Sequence, residues 1–243
     1  MIYLTDGTRE GFLTAFTKAY KDAGARLAFD AFQLPLGEDA VTVQTDTELS
    51  EKVKARLLSF DRRCMHDLDF ILRSGEADNI QTAFDYFKLL AEKKRPVREM
   101  LHEEAVRRAD ECIRRVGLEI HRMHGFLRFM ETESGALYGA FSPDNDIADL
   151  LVPHFRARLS CFPFVIHDVK RKKAAVWDGA SLFTAPLDRA EVLISADEYA
   201  WQNLWKRYYE SVNIPSRERL KQMHGYLPVR YMKFMNEFSP YHD

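Results

Sequence analysis

Five residues of this chain carry side chains suited to proton transfer or cation binding: His121, His124, His154, His167 and Asp168. His121 and His124 stand three apart, a spacing that puts both imidazoles on one face if the segment is helical. His167 and Asp168 lie in "VIHDVKRKKA", at the end of a strand pattern, where side chains reach a loop rim. Imidazoles beside a carboxylate can move a proton or ligate a metal. On this reading His121, His124, His167 and Asp168 would form the site of a hydrolase or transferase acting on a nucleotide or damaged base, with His154 able to complete it. The same residue types more often serve as structural histidines, and a three-residue spacing alone is a weak metal signal. No metal and no cofactor is assigned. The sequence holds no Walker P-loop, GxGxxG, GxSxG or HExxH motif, which removes the common nucleotide, dinucleotide, esterase and zinc-protease signatures.

A second chemistry is written in "RRADECIRRVGLEIHRMHGFLRF", residues 107–129. Arg107, Arg114, His121 and Arg128 recur every seven residues, with Arg108, Arg115 and Arg122 beside them. In the first half each arginine has an acid four positions ahead of it: Glu103, Glu104, Asp110 and Glu111. Such pairs contribute about 0.3 to 0.5 kcal/mol each when exposed, so this half reads as ordinary helix surface. In the second half only Glu119 and Glu131 are near, and Gly125 sits among the cations. A glycine inside a helix costs about 1 kcal/mol relative to alanine, which suggests close approach of a backbone or ligand. The segment from Lys206 to Lys233 carries seven basic residues against two acids and interleaves Tyr208, Tyr209, Tyr226 and Tyr231, with Trp201 and Trp205 just ahead. Cations track phosphates and rings stack on bases, so this mixture suits nucleic acid. The bland alternative is a core of rings under a charged surface. The run Lys170 to Lys173 suits a hairpin turn, and Lys93, Lys94 and Arg95 suit a helix end.

The elements that must position these groups follow from periodicity. "MIYL" predicts a strand, and Thr8 caps a helix through about Lys21. "RLAFDAF" and "AVTVQTD" predict a strand pair joined through "LPLGED". From Asp46 to about Lys94 the pattern is helical, broken at "SGEADN", and Pro96 marks a boundary. One long helix is predicted from Leu101 to Met130. "ALYGAFSPD", "DIADLLVPHFRARL", "FPFVIHDV", "KAAVWDG" and "SLFTAP" predict β-α-β-β-β order, and the chain after Ser195 is helical again. The fold class is therefore α+β, helix-rich, with a small, mainly antiparallel sheet and one long central helix. Residues 1–96 form an amino-terminal region and 97–243 a second α+β region, or the two make one compact domain.

Composition narrows the classes further. The 243 residues are 46% hydrophobic and 12% aromatic, enough for a real core, and the formal charge is −2, so no bulk basic signature exists. Cys64, Cys112 and Cys161 lie far apart without a CxxC pair, as expected of free thiols in a reducing cytoplasm. Charges interrupt every hydrophobic stretch, so neither a signal peptide nor a membrane span is expected.

"YLTDGTREGFLTAFTKAY", "EIHRMHGFLRFME" with "GALYGAFSPDNDI", "LVPHF", "VIHDVKRKKA" and "LPVRYMKFMNEF" together resemble a bacterial family of DNA metabolism or DNA repair proteins built around a domain of unknown function. The likeness covers nearly the whole chain. Members of that family are typically encoded beside a radical SAM protein of DNA-repair type, and related domains occur fused to a uracil-DNA glycosylase domain. The resemblance implies the same setting here. It transfers no catalytic residue. Matching positions include Glu119, His121, Arg122, Gly125, Arg128, Phe129, His154, Phe155, His167, Asp168, Arg171, Pro228, Arg230, Tyr231 and Lys233. Met232 departs from the family pattern, which favours Trp there, and Asp146 stands where His is usual.

The leading expectation is an accessory protein of DNA metabolism or repair that binds DNA, docks a radical SAM or uracil-DNA glycosylase-type enzyme, or does both. Arg122, Arg128, Arg171, Arg230, Tyr231 and Lys233 are its nucleic-acid-binding candidates. The His/Asp enzyme is the first alternative, and a protein-interaction module without nucleic acid is the second.

Overall fold

The computed structural model describes residues 1–29, 39–160, 162–214 and 219–238. The chain divides into two compact units, Met1–Leu118 and Glu119–Asp243.

The first unit opens with β1 (Ile2–Leu4) and α1 (Arg9–Ala19), followed by β2 (Arg26–Ala28), β3 (Ala40–Thr42), α2 (Thr47–Leu58), α3 (Cys64–Arg73) and α4 (Asn79–Lys93). The Thr8 hydroxyl accepts from the Gly11 N–H, and the Asp46 carboxylate from the Leu49 N–H, so both helices start on side-chain caps. The predicted pairing of the second and third strands is corrected: β1 lies between them and pairs in parallel with each. A central strand exposes backbone donors and acceptors on two edges, and β2 and β3 satisfy one edge each. Residues 30–38, which hold most of the predicted turn, lie outside the described residues. Phe12, Phe16, Phe84 and Phe87 pack edge-to-face or stacked at the centre of the core. Asp67 is buried there, accepting from Arg98 Nη2 at 2.7 Å and from the Tyr86 hydroxyl at 3.2 Å. Cys64 and Cys112 are free and buried, and burial pushes the Cys64 thiol up to about 12; Cys161 lies outside the described residues.

Helix α5 (Glu104–Phe126) is the long helix, but it is shorter than the sequence suggests. Met130 belongs instead to β4 (Met130–Glu131). The helix closes where Gly125 weakens it and where Arg128 Nη1 donates to the Gly125 carbonyl at 2.8 Å. Along its first half Arg115 pairs with Glu111 at 2.6 Å and Arg107 with Glu104 at 3.9 Å. Arg108 reaches Asp78 and Asp85, and Arg115 also reaches Glu76. In that half Arg107, Arg108 and Arg115 are ion-paired.

The second unit continues with β5 (Leu137–Phe141), α6 (Ala148–Arg158), β6 (Phe164–Asp168), β7 (Lys173–Trp177) and β8 (Leu182–Pro186). Its sheet runs β4-β5-β6-β7-β8, antiparallel except between β5 and β6. That parallel pair needs a crossover, and α6 supplies it while covering one sheet face through Phe155. Then come α7 (Ala196–Val212), α8 (Leu220–Tyr226) and α9 (Val229–Met232). The α+β class with a small, mainly antiparallel sheet and a long helix describes the molecule. Among the described residues no helix is long and apolar enough to cross a membrane.

Candidate nucleic-acid interface

Three helices of the second unit converge on one pocket of about 520 Å³. The end of α5 brings His124 and Gly125, and the chain just past it brings Leu127, Arg128 and Phe129. Helix α6 brings Phe155 and Arg158, and α7 brings Glu198, Trp201, Gln202 and Trp205; Asn236 closes the rim.

Each element is held there for a local reason. The Ser195 hydroxyl accepts from the Glu198 N–H at 3.2 Å and starts α7. The Glu198 carboxylate accepts from the Glu131 N–H at 3.0 Å and from Gln202 Nε2 at 2.9 Å, so α7 is tied to β4. Phe129 packs between Phe155 and Phe164, with ring centroids at 4.9 and 5.8 Å. Arg128 Nη2 lies 2.7 Å from Glu237 Oε1, and Trp205 Nε1 donates to Glu237 Oε2 at 3.4 Å. Trp201 and Trp205 nevertheless remain 63% and 43% exposed.

Behind the pocket His124 stacks on His154, with centroids 4.0 Å apart and planes 11° from parallel. Nε2 of each ring is buried without a hydrogen-bond partner among the described residues. Burial, then His154, then His121, hold the His124 imidazole below its usual range. The neutral form of His124 is therefore favoured. Gly125 is not a point of close approach: a Cβ built there meets nothing within 4 Å. The close approach is instead at Gly139, where a Cβ would lie 3.1 Å from the Arg128 carbonyl and the Phe129 ring.

A second cluster braces the loop after β5. Glu119, buried on α5, accepts from the Asp144 N–H at 2.9 Å and from Asn145 N and Nδ2 at 2.8 and 2.7 Å. The Tyr231 hydroxyl donates to the same carboxylate, and Arg230 joins Asp144 Oδ2 at 2.5 Å. Burial first, and then Glu119, push the Tyr231 phenol above its usual range. From the other side the Arg171 guanidinium holds Asp168 at 3.0 Å and donates to the Pro143 and Asp144 carbonyls. Lys173 pairs with Asp146.

The candidates thus sort into separate places. Neighbouring strand residues point to opposite faces, which sends His167 away from Phe164, Phe129 and Phe155, and so away from His124. His167 is buried there, with Nδ1 at 2.6 Å from the Tyr138 hydroxyl and Nε2 at 2.9 Å from the Leu187 carbonyl. A carbonyl only accepts, so Nε2 carries a proton, and both ring nitrogens are occupied. Asp168 is buried and held by Arg171, and His121 is exposed on α5. His121, His124, His167 and Asp168 are therefore not brought together. Among the described residues no group of three or more His, Cys, Asp or Glu could hold a metal.

The nucleic-acid candidates divide as well. Tyr231 is buried, which corrects the expectation of a stacking ring. Arg171 and Arg230 brace the loop after β5, and Arg128 is neutralised by Glu237. Arg122 has no ion-pair partner among the described residues and sits one turn before Gly125, and Lys233 is exposed, over the Phe234 ring at 4.8 Å. Sequence reasoning missed Arg158, Gln202, Asn236 and the anchoring acids Glu198 and Glu237. Arg158 was accessible in principle, since it lies four residues after His154 on the α6 face.

An α+β unit with a tryptophan-lined, cation-rimmed pocket is what the fold and the geometry define. Residues 77–237 match the family described as a domain of unknown function (DUF4130), and the chain belongs to that family. No curated protein and no solved structure matches the chain.

Proposed function

We propose that this protein is a cytoplasmic accessory factor of DNA metabolism or repair that binds nucleic acid on the face formed by the end of α5, α6 and α7. One observation carries the reading. Two segments singled out by composition, "HRMHGFLRF" and the aromatic run that begins α7, line a single pocket. Its exposed rings, Trp201 and Trp205, share the pocket with Arg158, and Arg122 lies one turn before Gly125 of its wall; neither cation has an ion-pair partner among the described residues. Stacking rings beside free cations are what a single strand uses, because every base has a π-face and every nucleotide a phosphate.

The test is a fluorescence-anisotropy titration of labelled single- and double-stranded DNA at several salt concentrations. Each phosphate contact removed should lower the slope of log affinity against log salt by about one, so an Arg122→Glu/Arg158→Glu double variant should lose about two. An unchanged slope and affinity in that variant would remove this face from the reading.

A second reading rests on the apolar side chains that α7 exposes. Tyr199, Leu204, Tyr208 and Val212 are each more than half exposed on that helix. Leu204, Tyr208 and Val212 follow one another at i, i+4 and i+8; an exposed apolar stripe of this kind marks protein contacts, and it suits docking of the radical SAM repair enzyme or the uracil-DNA glycosylase-type protein that the family resemblance implies. Salt-insensitive association with such an enzyme, lost in Leu204→Asp, would support it.

A further inference from the structure

We propose that the pocket between α5, α6 and α7 receives one unpaired nucleobase of a single strand, stacked on Trp201 and met at its edge by Asn236 and Gln202. The inference rests on the reading that this face binds nucleic acid and goes beyond it by naming what enters the pocket. Its size comes first. At about 520 Å³ the pocket falls in the range of about 300 to 1,000 Å³ typical of small-ligand sites. A base still paired and stacked in a duplex could not reach it.

The lining supplies the two things a base needs. Planar apolar walls come from Trp201, Trp205, Phe129 and Phe155. Hydrogen-bonding groups with spare capacity come from two places. The Asn236 amide has no partner among the described residues. Gln202 commits its Nε2 to Glu198, which leaves its carbonyl oxygen to accept. A purely apolar ligand would leave these groups unsatisfied, and unsatisfied buried polar groups are penalised. A simple anion would not use the rings. A base uses both.

The charges fit a nucleotide rather than a free anion pocket. Arg128, which lines the wall, is already neutralised by Glu237 at 2.7 Å. Arg158, at the rim, is exposed and has no ion pair among the described residues. The positive charge is thus placed where a backbone phosphate would pass.

The experiment compares an octamer of thymidines with an octamer of abasic deoxyribose phosphates, so the phosphate count is equal and only the bases differ. Binding of the full chain is read by anisotropy and by tryptophan fluorescence. Trp201, Trp205 and Trp177 are the chain's tryptophans, and Trp177 is buried. The base-bearing strand should bind about tenfold more tightly or better, with quenched fluorescence. Trp201→Ala should abolish that preference while keeping the salt slope. Because Trp201 is exposed, its replacement leaves the core intact, and Asn236→Ala should weaken the preference independently. Equal binding of both octamers with a normal salt slope would overturn the base pocket and leave the nucleic-acid reading standing. Binding of neither octamer would overturn both.

Discussion

Arg128 Nη2 lies 2.7 Å from Oε1 of Glu237, a residue 109 positions further along the chain whose side chain is 4% exposed. By sequence Arg128 is a phosphate contact at the end of a basic row. In the folded unit its charge is already met by a buried carboxylate, and Trp205 donates to that carboxylate's other oxygen. The pair fastens the carboxyl-terminal segment to the end of α5. Arg128→Gln should therefore lower stability by about 1 to 3 kcal/mol and leave the salt slope of DNA binding unchanged. Urea unfolding and the anisotropy titration separate the two effects.

The Glu119 cluster makes a sharper stability test. Glu119 satisfies two backbone N–H groups, an amide and a phenol at once. Tyr231→Phe removes the hydrogen bond the phenol donates to Glu119 and the one it accepts from Arg230 Nη2 at 2.9 Å, and should cost about 1 to 2 kcal/mol. Glu119→Ala strands buried donors in addition and should cost distinctly more. The order of the two urea midpoints checks this, and equal midpoints would count against the cluster as drawn.

Asp67 is fully buried, and burial raises its carboxyl above the usual range although Arg98 and Tyr86 pull it down. Removing Arg98 leaves a buried charge without its ion-pair partner. Arg98→Ala should destabilise by about 3 kcal/mol, the lower part of the range for broken buried pairs, because Arg98 itself is 28% exposed. Adding Asp67→Asn should restore part of the loss. A double-mutant cycle by thermal unfolding measures it.

Much of this was legible in the sequence, and the failures have physical causes. The helices α1 to α4, the β-α-β-β-β order and the start of α7 follow from caps and periodicity that are local. The strand partners of β1 are not local: "RLA" and "AVT" alternate equally well as a hairpin or as two edges of a parallel sheet. Periodicity also overran the end of α5. Met130 keeps the seven-residue rhythm of Ala109, Val116 and Met123 while lying in a strand. At the site, residue type was readable and partner was not. Nothing near Arg128 in sequence announces Glu237, and nothing near Tyr231 announces Glu119. The exposed tryptophans were found because rings among cations are a compositional signal that needs no partner.

The stacked histidines give a pH dependence. The folded state holds His124 below its usual range, chiefly by burial and then by His154 and His121. Below a pH of about 6.5 the unfolded chain takes up a proton that the folded chain refuses, so stability falls as pH drops through that value. His154→Phe keeps a ring against His124 and removes one source of repulsion. Its melting temperature should decline less between pH 7 and pH 5.5 than that of the unaltered protein, as differential scanning calorimetry would record. Parallel declines would show that His124 does not titrate as described.

The most direct measurement is the affinity of the unaltered protein for a labelled single strand across a salt series, repeated with Arg122→Glu/Arg158→Glu. We expect affinity to fall steeply with salt, and the double variant to lose about two units of slope. Absence of binding at low salt, or identical slopes in the two proteins, would contradict nucleic-acid binding on the α5–α6–α7 face.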